Sequence, residues 1–210
     1  TAEGGMVITR DADLAQKIAW DVVLFDQEAC LAPHIVFVEA DSAGTSRLAE
    51  QVAASMEKYA GDLPPAKRSL AAGLALRQEL DSLAALDDNV RVCPAGSPDN
   101  GVVVVQEIDT FYPSPLGRFV RLMPVRSVDI ALELVKPLQG LLQNASIACT
   151  DESRRRQIAA ALAREGVARV CPPGNMGTPS MMWHHDGFPC IARMLTFCDW
   201  ETGVHHKLSS

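Results

Sequence analysis

The chain has 210 residues, 48% of them hydrophobic and 21% charged, which is typical of one large soluble domain or of one domain with a small appendage. Its formal net charge of −7 at pH 7 argues against a nucleic-acid-binding surface, because neutralising phosphates requires clustered Lys and Arg. No apolar run approaches the roughly 20 residues of a membrane-spanning helix and no signal peptide is evident, so we expect a cytoplasmic protein without a membrane span. The six cysteines show no repeated short spacing, which favours reduced thiols.

Predicted strands and helices alternate along the chain. Short apolar runs predict strands at 6–8, 35–38, 90–92, 101–106, 119–124, 146–149 and 167–171. Helical spacing of apolar residues predicts helices at 11–25, 42–59, 66–86, 127–136, 151–165 and 187–198. We expect Ser127 and Asp151 to act as N-caps of two of these helices. The alternation predicts an α/β fold with a largely parallel sheet flanked by helices.

Cys30 lies where a predicted helix gives way to the predicted strand 35–38. A thiol at such a junction can face a cleft while the elements on both sides hold it rigidly. A thiolate is a strong nucleophile that divides an acyl transfer into two easier steps. The alternative interpretation is a buried small hydrophobe, which is what most free cysteines are.

A cluster of polar residues near the C-terminus is open to three interpretations. An imidazole of His184 or His185 can pair with Cys30 and lower the pKa of the thiol. A metal site with Cys171 or Cys190 is disfavoured, because adjacent histidines diverge and no zinc-type ligand spacing is present, so we predict no metal. In the third interpretation His185 and Asp186 make structural hydrogen bonds at a tight turn.

The loop 174–177, Gly-Asn-Met-Gly, is rich in glycine. Its backbone N–H groups can cradle a phosphate, but the loop lacks the spacing of a P-loop and of a G-x-G-x-x-G dinucleotide motif. We therefore favour a flexible rim of the active site over a phosphate site.

Several segments resemble the aldehyde dehydrogenase superfamily. Residues 3–5 resemble its Glu-Leu-Gly-Gly segment with Leu absent, and 11–14, Asp-Ala-Asp-Leu, resemble a helix start of that family. Residues 25–30 resemble its Phe-x-x-Gln-Gly-Gln-x-Cys segment but lack the Gly. The form Asp-Gln-x-x-Cys-Leu-x-Pro here is closer to the fatty acyl-CoA reductase branch typified by the reductase subunit of bacterial bioluminescence. Residues 183–187, Trp-His-His-Asp-Gly, resemble the Trp-x-His-Asp-Gly signature of the same branch.

The resemblance implies the catalytic domain of a cysteine-dependent reductase with an aldehyde dehydrogenase-like fold. Cys30 would displace CoA from a fatty acyl-CoA and carry the acyl group as a thioester, with backbone N–H groups beside it as part of the oxyanion hole. Glu3 matches the general-base position of the family, although in a reductase its task is either CoA exchange or minor. The implied substrate-binding or positioning residues are Gln27, His184, His185 and Asp186.

The resemblance also implies a cofactor and partners. The cofactor is NADPH, with NADH possible, bound mainly by a domain expected upstream of this chain. We expect residues 1–202 to form the cysteine-bearing domain and 203–210 a loose tail. The implied partners are a fatty acyl-CoA or acyl-enzyme donor, further copies of the chain in a homo-oligomer, and acyl-transferase or acyl-activating subunits.

Two rival functions remain open from the sequence. The first is an NAD(P)-dependent aldehyde dehydrogenase that oxidises aldehyde to acid. The missing Gly before Cys30 and the signature at 183–187 argue against it. The second is a non-catalytic α/β assembly module in which Cys30 is inert.

Overall fold

The computed structural model describes residues 12–85, 90–189, 194–196 and 198. Its helices are α1 (Ala12–Val23), α2 (Ser42–Asp62), α3 (Leu70–Ala84), α4 (Val128–Val135) and α5 (Glu152–Arg164). Its strands are β1 (Ile35–Val38), β2 (Arg91–Ala95), β3 (Ser97–Val105), β4 (Phe119–Pro124), β5 (Asn144–Ser146) and β6 (Arg169–Cys171). The predicted strand 6–8, Glu3, Cys190 and the predicted tail 203–210 lie outside the described residues.

The main sheet has the strand order β1-β4-β3-β2. Strand β4 pairs in parallel with both β1 and β3, whereas β2 and β3 form an antiparallel hairpin. Strands β5 and β6 form a separate parallel pair. The fold is therefore α/β with a largely parallel sheet, as the sequence predicted.

Helices cover both faces of the main sheet. Successive strand side chains point to opposite faces, so the valine run of β3 divides between two layers. Val103 and Val105 pack with Val120 and Leu122 of β4 under α1 and α2. On the other face, Val102, Val104 and Phe119 pack against Leu76 and Leu83 of α3. This sandwich fixes the amino end of β4, to which Gln27, three residues before Cys30, is hydrogen-bonded.

Most predicted elements are confirmed, with several corrections. Strands 35–38 and 119–124 are confirmed at both ends. Helix α3 begins at Leu70 rather than 66, because two prolines hold the preceding segment extended and the Ser69 side chain caps the helix by accepting from the Ala72 N–H. Strand β5 lies at 144–146 rather than 146–149.

The two predicted caps have different outcomes. Asp151 caps α5 as predicted, since its carboxylate accepts from the Arg154 N–H at 2.9 Å. Ser127 makes no side-chain cap on α4; the Glu39 carboxylate accepts from the Val128 N–H at 2.9 Å instead. The helix predicted within 187–198 is wrong for the described residues 188–189 and 195–196, which are not helical.

Candidate active site

Three consecutive residues before Cys30 have a left-handed backbone. Helix α1 ends at Val23, and Phe25, Asp26 and Gln27 then have φ of 55°, 53° and 64°. This conformation costs a residue with a side chain roughly 1–2 kcal/mol. Such residues persist only where their surroundings over-determine them, and they cluster at functional sites. The sequence predicted an ordinary helix through residue 25, so this turn is a correction.

A second left-handed run faces the first. Leu116, Gly117 and Arg118, directly before β4, have φ of 67°, 66° and 67°. The Arg118 guanidinium donates to the Asp26 carboxylate at 2.6 Å and to the Leu63 carbonyl at 2.9 Å. The other oxygen of Asp26 accepts from the Ala66 N–H at 3.0 Å. The bond between Arg118 and Asp26 joins the two runs, and the other two bonds tie them to residues 63 and 66, which offsets part of their backbone strain.

Gln27 is almost fully buried, and its amide bonds to backbone on both sides. Its Nε2 donates to the carbonyls of Pro33 and Phe119 at 2.7 and 2.6 Å. Its Oε1 accepts from the Phe119 N–H at 2.8 Å and from the Ser114 hydroxyl at 3.4 Å. Gln27 thus fixes the cysteine-bearing segment to the amino end of β4.

Cys30 itself is exposed in the turn that follows. Within the described residues, neither its N–H nor that of Leu31 donates a backbone hydrogen bond, and no hydrogen bond joins the thiol to His184 or His185. Free N–H groups beside a nucleophile are candidate donors for a developing oxyanion. An exposed thiol with such neighbours differs from the buried hydrophobe that the alternative interpretation requires.

The other cysteines occupy different environments. Cys93 and Cys171 are buried, and burial raises the pKa of each thiol, which makes both poor nucleophiles at neutral pH. Cys149 is half-buried beside α5. Cys198 is exposed, but it lies far along the chain from the strained turn. Of the described cysteines, Cys30 alone follows a segment held as tightly as residues 25–27.

The segment after Cys30 is also held. The Leu31 carbonyl accepts from Asn144 Nδ2, at the start of β5, at 3.3 Å. The adjacent Gln143 donates through its amide to the Asp186 carboxylate. Residues 143 and 144 therefore connect the two segments that carried the sequence resemblance.

The predicted positioning residues His184, His185 and Asp186 lie in an exposed turn. His185 Nδ1 is 2.9 Å from the Asp186 carboxylate, and the Trp183 ring lies 4.8 Å from the His185 ring. The Gln143 amide lowers the pKa of Asp186. This arrangement resembles the structural interpretation of these residues more than a pairing with Cys30. None of the described residues forms a cluster of three or more potential metal ligands.

The glycine-rich loop has its amides occupied by Asp21. The buried Asp21 carboxylate accepts from the N–H groups of Gly174 and Met176 at 2.7 and 2.9 Å. Gly177 packs against Leu24, where a Cβ would lie 2.4 Å from the Leu24 side chain. The phosphate interpretation therefore fails for these two amides, and the loop is docked on α1 rather than a loose rim.

We expect Asp21→Asn to loosen this loop. Burial raises the pKa of Asp21, although the two N–H groups and Arg169 act in the opposite direction. Wild-type stability relative to the variant is therefore greatest below the unfolded pKa and falls as pH rises through the raised folded pKa. In the Asp21→Asn variant, an NH₂ group replaces one carboxylate oxygen and cannot accept from the loop N–H group that it faces. Hydrogen exchange should show faster exchange at Gly174 and Met176, and urea unfolding from about pH 4 to about pH 7 tests the trend. Unchanged exchange at both amides would count against the docking role.

Comparison with known proteins relates this site to one family. The model of the acyl-CoA reductase (LuxC) family matches residues 5–197 of the chain. No curated protein matches the sequence significantly.

Solved structures share the fold at low sequence identity. A putative aldehyde dehydrogenase PutA from Anabaena variabilis aligns over 84% of this chain and 42% of its own, with 15% identity and a TM-score of 0.59. An NAD-dependent aldehyde dehydrogenase from Burkholderia multivorans aligns over 80% of this chain and 34% of its own, with 17% identity and a TM-score of 0.59. A bifunctional proline utilization A (PutA) protein aligns over 84% of this chain and 20% of its own, with 15% identity and a TM-score of 0.62. The chain thus has an aldehyde dehydrogenase-like fold and spans less than half of each of these proteins.

Proposed function

This chain belongs to the acyl-CoA reductase (LuxC) family, and from that premise we propose that it is the catalytic domain of a reductase that converts fatty acyl-CoA to aldehyde through an acyl-thioester on Cys30. The observation that carries the proposal is the exposed Cys30 directly after a strained, heavily bonded turn. The aldehyde dehydrogenase-like fold supports the same class of oxidoreductase, which acts on acyl or aldehyde groups.

The chemistry begins with the Cys30 thiolate. It attacks the thioester carbonyl of acyl-CoA, the C–S bond to CoA breaks, and the CoA thiolate leaves with the electron pair. The free N–H groups of Cys30 and Leu31 stabilise the oxyanion that forms in between. After reduction of the thioester, Cys30 departs as thiolate and aldehyde is released.

Reduction needs a hydride donor, and we propose NADPH, with NADH as the alternative. The described residues do not fit a dinucleotide pyrophosphate at their one glycine-rich loop, because Asp21 fills it. We therefore assign cofactor binding to the rest of the protein. Some structural neighbours are described as NAD-dependent, which supports a nicotinamide cofactor without fixing which one.

An apolar substrate is consistent with exposed apolar side chains on the segments that carried the sequence resemblance and on those next to them. Phe25 is 63% exposed, and the left-handed backbone holds it outward. Met181 and Met182 are also exposed, four and five residues after the loop glycine that lies beside Phe25. We propose these side chains as the apolar contacts of an acyl chain.

The remaining proposals concern the other site residues, the partners and the location of the protein. Glu3 stays a proposed general base, and Gln27 a positioning residue for the Cys30 segment. His184, His185 and Asp186 stay proposed positioning residues. We propose homo-oligomers, acyl-transferase or acyl-activating partners and a cytoplasmic location. Among the described helices, none is both long and apolar enough to cross a bilayer.

The test is to mix the intact protein with tetradecanoyl-CoA without reductant and record its mass. We expect one acyl adduct, which NADPH then discharges as tetradecanal. The oxidative alternative predicts no adduct from acyl-CoA over several chain lengths, but nucleotide-dependent oxidation of tetradecanal. Absence of both reactions would favour the non-catalytic module.

A further inference from the structure

We propose that Asn144 is a positioning residue that fixes the outgoing side of the Cys30 turn, an inference that rests on the proposed acyl transfer to Cys30. Gln27 anchors the incoming side to β4. The Asn144 amide binds the Leu31 carbonyl, one residue after the nucleophile, at 3.3 Å. Residues 28–30 therefore form a three-residue arch between two anchored points.

The Asn144 amide is itself held in one orientation. Its Oδ1 accepts from Arg169 Nη1 at 3.2 Å and lies 3.8 Å from the Cys171 sulfur. With the oxygen committed to these donors, the NH₂ group points towards the Leu31 carbonyl. Because Arg169 is cationic, it also polarises the amide and strengthens its donor end.

Arg169 connects Asn144 to the docked loop. Its guanidinium donates to the carbonyls of Met176 and Asn175 at 2.9 and 2.7 Å. The same loop is bound by the Asp21 carboxylate of α1. A continuous chain of hydrogen bonds thus runs from α1 through the loop and Arg169 to Asn144 and then to the turn that carries the thiol.

The Asn144–Leu31 bond is expected to affect the position of Cys30 more than the stability of the fold. A single partly buried amide–carbonyl bond at 3.3 Å makes only a small net contribution to the free energy of folding. In contrast, displacing a reacting group by about 1 Å costs up to about 100-fold in rate. Loss of the bond should therefore appear mainly in the rate of acyl transfer.

The decisive variant is Asn144→Asp. It keeps an acceptor for Arg169 but removes the donor to the Leu31 carbonyl, so the two functions of the amide are separated. Asn144→Ala removes both functions and adds no charge, which controls for the effect of a new carboxylate on the thiol. Gln139→Ala is the matched control, because that exposed amide also donates to a backbone carbonyl, that of Arg164, at 3.0 Å.

Three quantities are measured for each protein. They are the acylation rate at saturating tetradecanoyl-CoA, the half-saturating concentration, and the thermal midpoint. We expect both Asn144 variants to acylate about 10-fold to 100-fold more slowly, with half-saturation within about twofold of wild type. Asn144→Asp should stay near the wild-type midpoint, because an ion pair with Arg169 offsets the carboxylate oxygen that faces the Leu31 carbonyl. Gln139→Ala should match wild type in acylation. A wild-type acylation rate in Asn144→Asp, or a loss confined to half-saturation or to the midpoint, overturns the proposal.

A second readout separates this proposal from the proposed function. Iodoacetamide alkylation is followed at Cys30 and Cys149 in the same molecule by peptide mass. We expect both Asn144 variants to change the Cys30 rate several-fold and to leave Cys149 unchanged. If wild type forms no acyl adduct but this shift occurs, the substrate is wrong and the positioning role stands. An unchanged Cys30 rate in both variants overturns the positioning role, whatever the substrate.

Discussion

Replacing Cys30 with serine is expected to abolish the acyl adduct and to lower aldehyde formation by about 10⁴-fold or more. The hydroxyl keeps nearly the shape of the thiol, but it is a far weaker nucleophile at neutral pH. Intact mass after mixing with tetradecanoyl-CoA and initial rates of aldehyde release measure the two effects.

Cys149→Ser is the matched control for this prediction. Cys149 is a half-buried thiol next to α5, so its loss should leave adduct and turnover at the wild-type level. Because Cys30 is exposed, the serine variant should also keep the wild-type thermal midpoint within the range of ordinary surface substitutions. An adduct that survives Cys30→Ser and disappears in Cys149→Ser would show that Cys149, not Cys30, is the nucleophile.

Gln27→Leu is expected to lower the free energy of unfolding by about 2–5 kcal/mol. The substitution leaves the Phe119 N–H and the Pro33 carbonyl buried without their hydrogen-bond partner, and each orphaned group costs about 1–3 kcal/mol. It also releases the left-handed segment that precedes Cys30. Urea unfolding measures the free energy, and iodoacetamide alkylation of Cys30 measures the change at the thiol.

Two further variants sharpen this result. Gln139→Leu changes an exposed glutamine and should cost no more than about 0.5 kcal/mol. Gln27→Glu keeps the size and the acceptor for the Phe119 N–H, but it turns an oxygen towards two carbonyls, so it should also be destabilising. If Gln27→Leu unfolds with wild-type free energy, the strained turn is held by other contacts.

The elements of the sheet could be predicted because their signals are local. The valine run of 102–105 and the apolar run of 35–38 each identify a strand without reference to the rest of the chain. The end of α1 could not be predicted in this way. Phe25 continues the apolar face of the helix, and only contacts with residues 66 and 118–119 show why the backbone turns left-handed instead.

The candidate site was predictable in part. The residues around Cys30 carry a motif, so the cysteine itself could be found. In contrast, Arg118 binds Asp26 across 92 residues of chain, and Asn144 binds Leu31 across 113, so neither partner has a local signal. Asp21 did have a local signal, because an acidic residue three positions after Ile18 interrupts the inner face of α1. Asp21 was not identified from the sequence, and nothing local shows that the glycine-rich loop binds its carboxylate.

The two facing left-handed runs also set an order of events during folding. Each run is held by the other, and their joining bonds span 92 residues of chain. Closing so long a loop is entropically costly and slow compared with forming α1 or the β2–β3 hairpin. The turn bearing the thiol can therefore reach its final shape only after β4 has joined the sheet. A nascent chain that ends before residue 119 would carry Cys30 as an ordinary, flexible thiol, so the reactive centre of this domain matures only after distant parts of the chain are in place.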